Sequence, residues 1–275
     1  MILGLILLKL KTLMNKKSFL KISFTFIVFF INKMIFATTI EKEIFFSAYL
    51  KGINLAKAEG QIKIKPNILN LYFTAQTVGV FSLISEWEQT LSISTLLINN
   101  KLKSQQYRSD DSRGKKKGHM YLSFENEIPK IVSAQPDPRE NDRREKINKN
   151  LLKNTIDPIS GVLNIGLDGN CNHKEIIFDG KRRYMINANF IEEEIIKQNQ
   201  FFSEDFNSIK CVFSIKKLEG YTEKEKKKYP GNGYIWYKKV GKDLFFPAKI
   251  AIDTRWGEFL CLIKEKELKN ESDSL

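Results

Sequence analysis

From Glu43 to Lys264, apolar and polar residues alternate with a period of two in one short segment after another. That pattern commits the chain to half-buried β-strands, because successive side chains of a strand point to opposite faces. Ser208–Lys217 is the clearest case, with Ile209, Cys211, Phe213 and Ile215 on the inward face. Lys181–Phe190 places Tyr184, Ile186, Ala188 and Phe190 on one face and Arg183, Met185, Asn187 and Asn189 on the other. Turn signals separate the segments: Gly52, Pro66-Asn67, Asn99-Asn100, Asp179-Gly180 and Gly241-Lys242. Pro247 lacks an amide donor, so it marks an edge or a bulge.

Four stretches depart from the alternation. Val80–Trp87 repeats Val80, Leu83, Ile84 and Trp87 at helical spacing, which predicts a short helix with its apolar stripe on the sheet. Asp157-Pro158 opens a second short helix, with Asp at the N-cap and Pro at the first helical position. Asp110–Gly118 reads as a charged turn and Gln135–Lys149 as a solvated linker leading into helix. Ile191–Asn207, acidic and Phe-containing, reads as a loop. The expected fold is therefore mainly β: about twelve short antiparallel strands in a strongly curved sheet or barrel-like fold, with one or two short covering helices. The concave face of such a sheet must be filled by side chains, helices or a ligand.

Ahead of the strands, Met14 to Ala37 has the three parts of a signal peptide. Asn15-Lys16-Lys17 and Lys21 form the charged region, Ile22 to Ile31 the apolar run, and Ala37 the small residue at a cleavage point. Ten apolar residues fall short of the roughly 20 that span a bilayer. The expectation is a cleavable signal over residues 1–37, with Met14 an alternative start, then one β-rich domain over 38–268 and a polar tail over 269–275. The alternative is an uncleaved anchor to the inner membrane. Otherwise the protein is expected in the periplasm, touching the membrane only through its signal.

The formal charge of +13 invites a nucleic-acid reading, but the leader holds six lysines and no acid, and without it the charge is +7. Only eight of the 45 basic residues are arginine, the side chain best suited to reading phosphate and base edges. No nucleic-acid partner is expected. Export places the domain where disulfides persist. Of three cysteines, Cys171 sits in a turn-like stretch and Cys211 early in a strand, so Cys171–Cys211 is the expected pair. A pair through Cys261, or no disulfide, are the alternatives. The cysteines lack metal-ligand spacing, and His119 and His173 are the chain's two histidines, far apart in sequence. No metal, cofactor or catalytic residue is expected, since neither a nucleophile elbow nor a phosphate-binding loop is present.

Asp157–Phe190 reads DPISGVLNIGLDGNCNHKEIIFDGKRRYMINANF. Its DPxS start, its cysteine and its FDGxRRY segment resemble the bacterial exported family called domain of unknown function 3108. The opening YLKGINLAKAEGQI, the CVFSIKKLEGY run at Cys211 and the closing FPAKIAIDTRWGEFLCLI are similar to the same family. The resemblance spans roughly Glu43 to Leu262 and implies an exported, β-rich protein of proteobacterial type. It implies two cysteines, at Cys171 and Cys211, and supplies no catalytic residues.

The candidate ligand-binding residues are Arg182, Tyr184, Asp157 and Asp179. Arg182 shares a strand face with Tyr184, so its guanidinium would lie at the mouth of an apolar cavity, ready for a phosphate or carboxylate head. The plainer roles are a helix cap for Asp157, a hairpin turn for Asp179, and for Arg182 a solvated charge or a salt bridge to Asp157 or Asp179. The function expected is binding of a lipid-like or other apolar ligand in the curved-sheet cavity. The alternatives are a structural or interaction module in envelope assembly, acting through Asp110–Gly118 and Gln135–Lys149, and an envelope-polymer hydrolase using Asp157, Asp179 and Arg182.

Overall fold

The computed structural model describes residues 39–227, 231–240, 244–254 and 256–267. The expected signal at 1–37, the polar tail at 269–275, and the turn at Gly241-Lys242 lie outside them. Seven strands come first: β1 (Ile40–Leu50), β2 (Ile53–Lys65), β3 (Ile68–Thr77), β4 (Trp87–Ile98), β5 (Lys101–Arg113), β6 (Lys116–Glu125) and β7 (Ile128–Gln135). After a long connection come β8 (Lys174–Phe178), β9 (Arg183–Ile196), β10 (Phe206–Glu219), β11 (Asn232–Val240), β12 (Leu244–Thr254) and β13 (Gly257–Glu267). Each group is an up-and-down meander. All thirteen strands form one antiparallel sheet, because β1 pairs with β13 and joins the two meanders in the middle, Lys42 opposite Glu267 through Leu50 opposite Phe259. The sheet curls into a nearly closed barrel whose free edges are β7 and β8.

The turns follow from their residues. Asn99 and Asn100 both adopt positive φ, as do Lys51-Gly52 and Asn126-Glu127, and two consecutive left-handed residues match the twist of a tight hairpin. Pro247 sits where β11 and β12 slip register, between Trp236 and Tyr237, so it marks a bulge inside the sheet rather than an edge. Asp110–Gly118 is not a loop: β5 runs on to Arg113 and β6 starts at Lys116, with Asp111 opposite Gly118. Ile191–Asn207 is likewise strand at both ends. Its acids are held by cross-strand partners, Glu192 by Lys210 at 2.9 Å and Glu194 by the indole N–H of Trp236 at 2.7 Å. Phe190, read as sharing a face with Ile186 and Ala188, is exposed where they are buried, and β9 bulges just after it at Ile191.

Three α-helical turns accompany the sheet: α1 (Val80–Ile84), α2 (Pro158–Gly166) and α3 (Glu223–Lys226). Helix α2 runs inside the barrel. Leu163 and Leu167 join an inner cluster with Leu69, Leu91, Leu122 and Phe246 from both meanders. Ile165 packs with Ile177, Ile209 and Tyr237 around the Cys171–Cys211 disulfide, whose Cα atoms are 6.1 Å apart. Gly166 lies against the Tyr237 ring, where a Cβ would collide with it. The Tyr237 hydroxyl donates to the Val162 carbonyl at 2.7 Å. Asn164 forks onto β5, accepting from the Leu102 amide at 2.7 Å and donating to its carbonyl at 3.0 Å. Burying such a polar side chain is tolerable only because both ends of its amide are bonded. The helix thus fills the concavity that the curved sheet creates.

Helix α1 departs from expectation. None of its residues is buried, and Val80, Leu83 and Ile84 are 67%, 87% and 77% exposed. Gly79 (φ 61°, ψ −142°) turns the five-residue helix away from the sheet, so the stripe meets solvent instead of the core.

Candidate functional site

The residues singled out from the sequence occupy one neighbourhood beside α2 and the β8–β9 turn, and their side chains are engaged by the fold. Asp157 is fully buried and caps α2, accepting from the amides of Ile159 at 3.0 Å and Ser160 at 2.9 Å. The Ser104 hydroxyl donates to its other carboxylate oxygen, and the Asp157 amide donates back to Ser104 at 2.9 Å. Burial raises the Asp157 pKa, opposed by these hydrogen bonds. The carboxylate therefore ties α2 to β5.

Asp179 organises the β8–β9 turn. One of its oxygens accepts from the amides of Lys181 at 2.8 Å and Arg182 at 2.7 Å, and the other takes the Arg182 guanidinium through Nε at 2.8 Å and Nη2 at 2.7 Å. This ion pair, with two guanidinium nitrogens on one carboxylate oxygen, is mostly buried. Tyr184 is half-buried next to it; burial raises its phenol pKa, Asp179 adds to the shift and Arg182 opposes it. No group of three metal-ligating side chains occurs among the described residues.

The apolar opening lies a few residues away, at the seam between the sheet's free edges. There the connection from β7 to α2 crosses the gap. Asn154 donates to the Glu127 carbonyl of the β6–β7 turn at 3.0 Å, and Ile156 pairs with β8 through bonds of 2.9 Å to Ile176 and Phe178. Between these ties a cleft of about 830 Å3 remains. Its walls are Ile128, Pro129 and Ile131 of β7, Ile147 and Leu152 of the connection, and Phe178 of β8. Ile131, Ile147 and Leu152 are also packed on the inner cluster, so the cleft is an extension of the core toward solvent.

Around this apolar floor stand Lys130, Lys146, Lys149 and Lys181, with Arg139 and the acids Glu125 and Glu145 also in the lining. None of the four ammonium groups is in an ion pair among the described residues. Arg144 is different: it reaches Glu225 at 3.0 Å and the Gly220 carbonyl, and so pins the connection to the β10–β11 segment. The arrangement, apolar inside and cationic at the mouth, fits an amphipathic anion. A second groove, of about 760 Å3, crosses the outer face of the first meander, but its lining is the polar side of half-buried strands: Gln61, Asn70, Ser92, Gln106 and Arg108 among others.

Of the turn read from sequence, Gly180 and Lys181 line the cleft, while Arg182, Tyr184, Asp157 and Asp179 do not. The remaining wall comes from Gln135–Lys149 and its continuation, which is not a solvated leader into α-helix. It forms two 3-10 turns, Pro138–Glu140 and Lys149–Leu152, and docks Ile147 and Leu152. The overlooked signal is those apolar residues inside a basic run, spaced so that one face stays charged.

No curated protein matches the chain. Among solved structures it is similar to a β-barrel-like protein of domain of unknown function DUF1849 from Brucella abortus, at 10% identity and a TM-score of 0.48, covering 84% of this chain and 99% of that one. It is also similar to a DUF1329 family protein from Desulfovibrio piger, at 9% identity and a TM-score of 0.20, covering 88% and 91%. The model of the family described as "Protein of unknown function (DUF3108)" matches residues 46–262, nearly the whole sheet from β1 into β13, and the chain belongs to that family.

Proposed function

We propose that this protein is an exported, non-enzymatic binder of a lipid-like anion, working in the periplasm and using the seam cleft as its site. The acyl portion would lie on Ile131, Ile147, Leu152 and Phe178, and the head group would meet Lys130, Lys149 and Lys181. The observation that carries the reading is the pairing of an apolar floor, continuous with the core, with a rim on which Lys130, Lys146, Lys149 and Lys181 outnumber the acids Glu125 and Glu145. Export rests on the leader alone. No cofactor enters the reading, and no covalent step is assigned.

Protein purified without detergent from its native envelope, then extracted and analysed by mass spectrometry, tests it. The expected result is a co-purifying acyl lipid or fatty acid, near one per chain. Palmitate added to delipidated protein should rebind, and Ile131→Glu or Leu152→Glu should weaken that binding at least tenfold, with circular dichroism unchanged. Protein that carries no acyl compound and takes up no palmitate would end the proposal.

A further inference from the structure

An exposed apolar surface lies at the barrel end where β1, β3, β5 and β12 finish. Helix α1 projects there with Val80, Leu83 and Ile84 in solvent. The projection is braced at its base: the Thr77 hydroxyl donates to the Ser85 carbonyl at 3.0 Å and accepts from the Trp87 amide at 3.1 Å, and Ser82 bonds back to Gly79 at 2.7 Å. The adjoining turns continue the pattern. Ile53 beside the β1–β2 turn is 55% exposed and Trp256 in the β12–β13 turn is 59% exposed. Backbone bonds hold these turns in one row: Val78 to Leu55 at 3.0 Å, and Lys51 to Glu258 at 3.2 Å. On the other flank the β5–β6 turn is tied to the end of α1 by Gly114 to Glu86 at 3.1 Å, and it carries Arg113, Lys115, Lys116 and Lys117.

We infer that this end of the barrel seats on the surface of an anionic lipid bilayer. Leu83 and Ile84 enter the acyl boundary, Trp256 lies at head-group depth, and Lys51 with the Lys115–Lys117 run faces lipid phosphates. Charge selects this occupant over a second copy of the chain. The row carries five cations (Lys51, Arg113, Lys115, Lys116 and Lys117) against Glu86, Glu88, Asp253 and Glu258, and four of the cations are gathered in the β5–β6 turn, so apposing those turns of two copies would set lysine against lysine. The apolar side chains come from separate turns and are each more than half exposed, which suits a soft apolar phase.

The test uses the full chain with an environment-sensitive fluorophore on Leu83→Cys, mixed with phosphatidylcholine vesicles with or without about one-third phosphatidylglycerol. The expected result is a blue shift and several-fold rise in emission on the anionic vesicles. High salt should weaken it, as should the combined Lys115→Glu, Lys116→Glu and Lys117→Glu changes. Because the label sits on α1, attachment by residues 1–37 alone would leave the emission as it is in water, and that result overturns the inference. A lipid-independent blue shift that grows with protein concentration would also overturn it, in favour of self-association. Palmitate binding by the triple Lys→Glu variant should remain unchanged, which separates this end from the seam cleft.

Discussion

The first meander, β1–β7, is apolar on its inner face and polar on its outer face, whereas the second, β8–β13, is apolar on both. Outside β9–β13, Ile196, Phe206, Trp236, Ala251 and Leu262 form a cluster of their own. The segment 197–205 folds over it, bringing Phe202 within 5.1 Å of Phe206 and Phe201 within 5.2 Å of Tyr49. Inside, the same strands hold the disulfide, Ile165 and Tyr237. The first meander relies on tight asparagine and glycine turns and on one buried face. The lesson is that the second half is a two-sided sheet that needs a cover and a covalent tie, while the first is a simple shell closed over α2.

Breaking the tie should show this difference most strongly. The disulfide closes 40 residues, so Cys171→Ser with Cys211→Ser should lose about 4 kcal/mol by the chain-entropy relation. Hydrogen exchange in that variant should accelerate in β8–β11 before β2–β6. Equal loss of protection everywhere would mean that the halves do not differ in their dependence on it.

Asp157→Ala comes next, because it removes the cap of α2 and strands the Ser104 hydroxyl in a buried site. Chemical denaturation should register a loss of about 3 kcal/mol. Asp157→Asn keeps a capping oxygen and should cost clearly less. The outer faces can then be compared directly. Phe202→Ala should cost about 2–3 kcal/mol, whereas Tyr72→Ala, at an exposed position on the first meander's outer face, should stay within about 0.5 kcal/mol. Similar costs would mean that the first meander also carries a cover.

The smallest effect at neutral pH concerns Cys261, whose thiol is pushed up from 9.0 to about 12 by burial against the inner cluster. Iodoacetamide at pH 8 should modify it roughly a thousandfold more slowly in native than in denatured protein, following the thiolate fraction. The unfolded chain ionises first, so stability from this group is full below pH 9 and falls as pH rises toward 12. Cys261→Ala should remove that part of the alkaline slope.

Much of this was legible in the chain. Alternation placed Ser208–Lys217 and the hairpins around Asn99-Asn100 because period two is a local property. Asp157-Pro158 announced the start of α2 for the same reason. What stayed hidden depends on distant partners. The Val80, Leu83 and Ile84 spacing is identical for a helix that packs and one that projects, and only the backbone at Gly79 decides between them. Glu192–Glu194 look like loop until Lys210 and Trp236 arrive across the strand to hold them. The seam cleft was least legible, since Ile131, Ile147 and Phe178 meet only after the sheet has curled.

The β1–β13 junction has a consequence for how such a chain must be made. The earliest strand to emerge finds its second neighbour only when the latest one is synthesised. Until then β1 presents an unzipped row of amides and carbonyls, and the shell around α2 cannot shut. Assembly therefore waits for the whole polypeptide, which keeps it threadable for longer and leaves it open to sticking to its neighbours in the meantime.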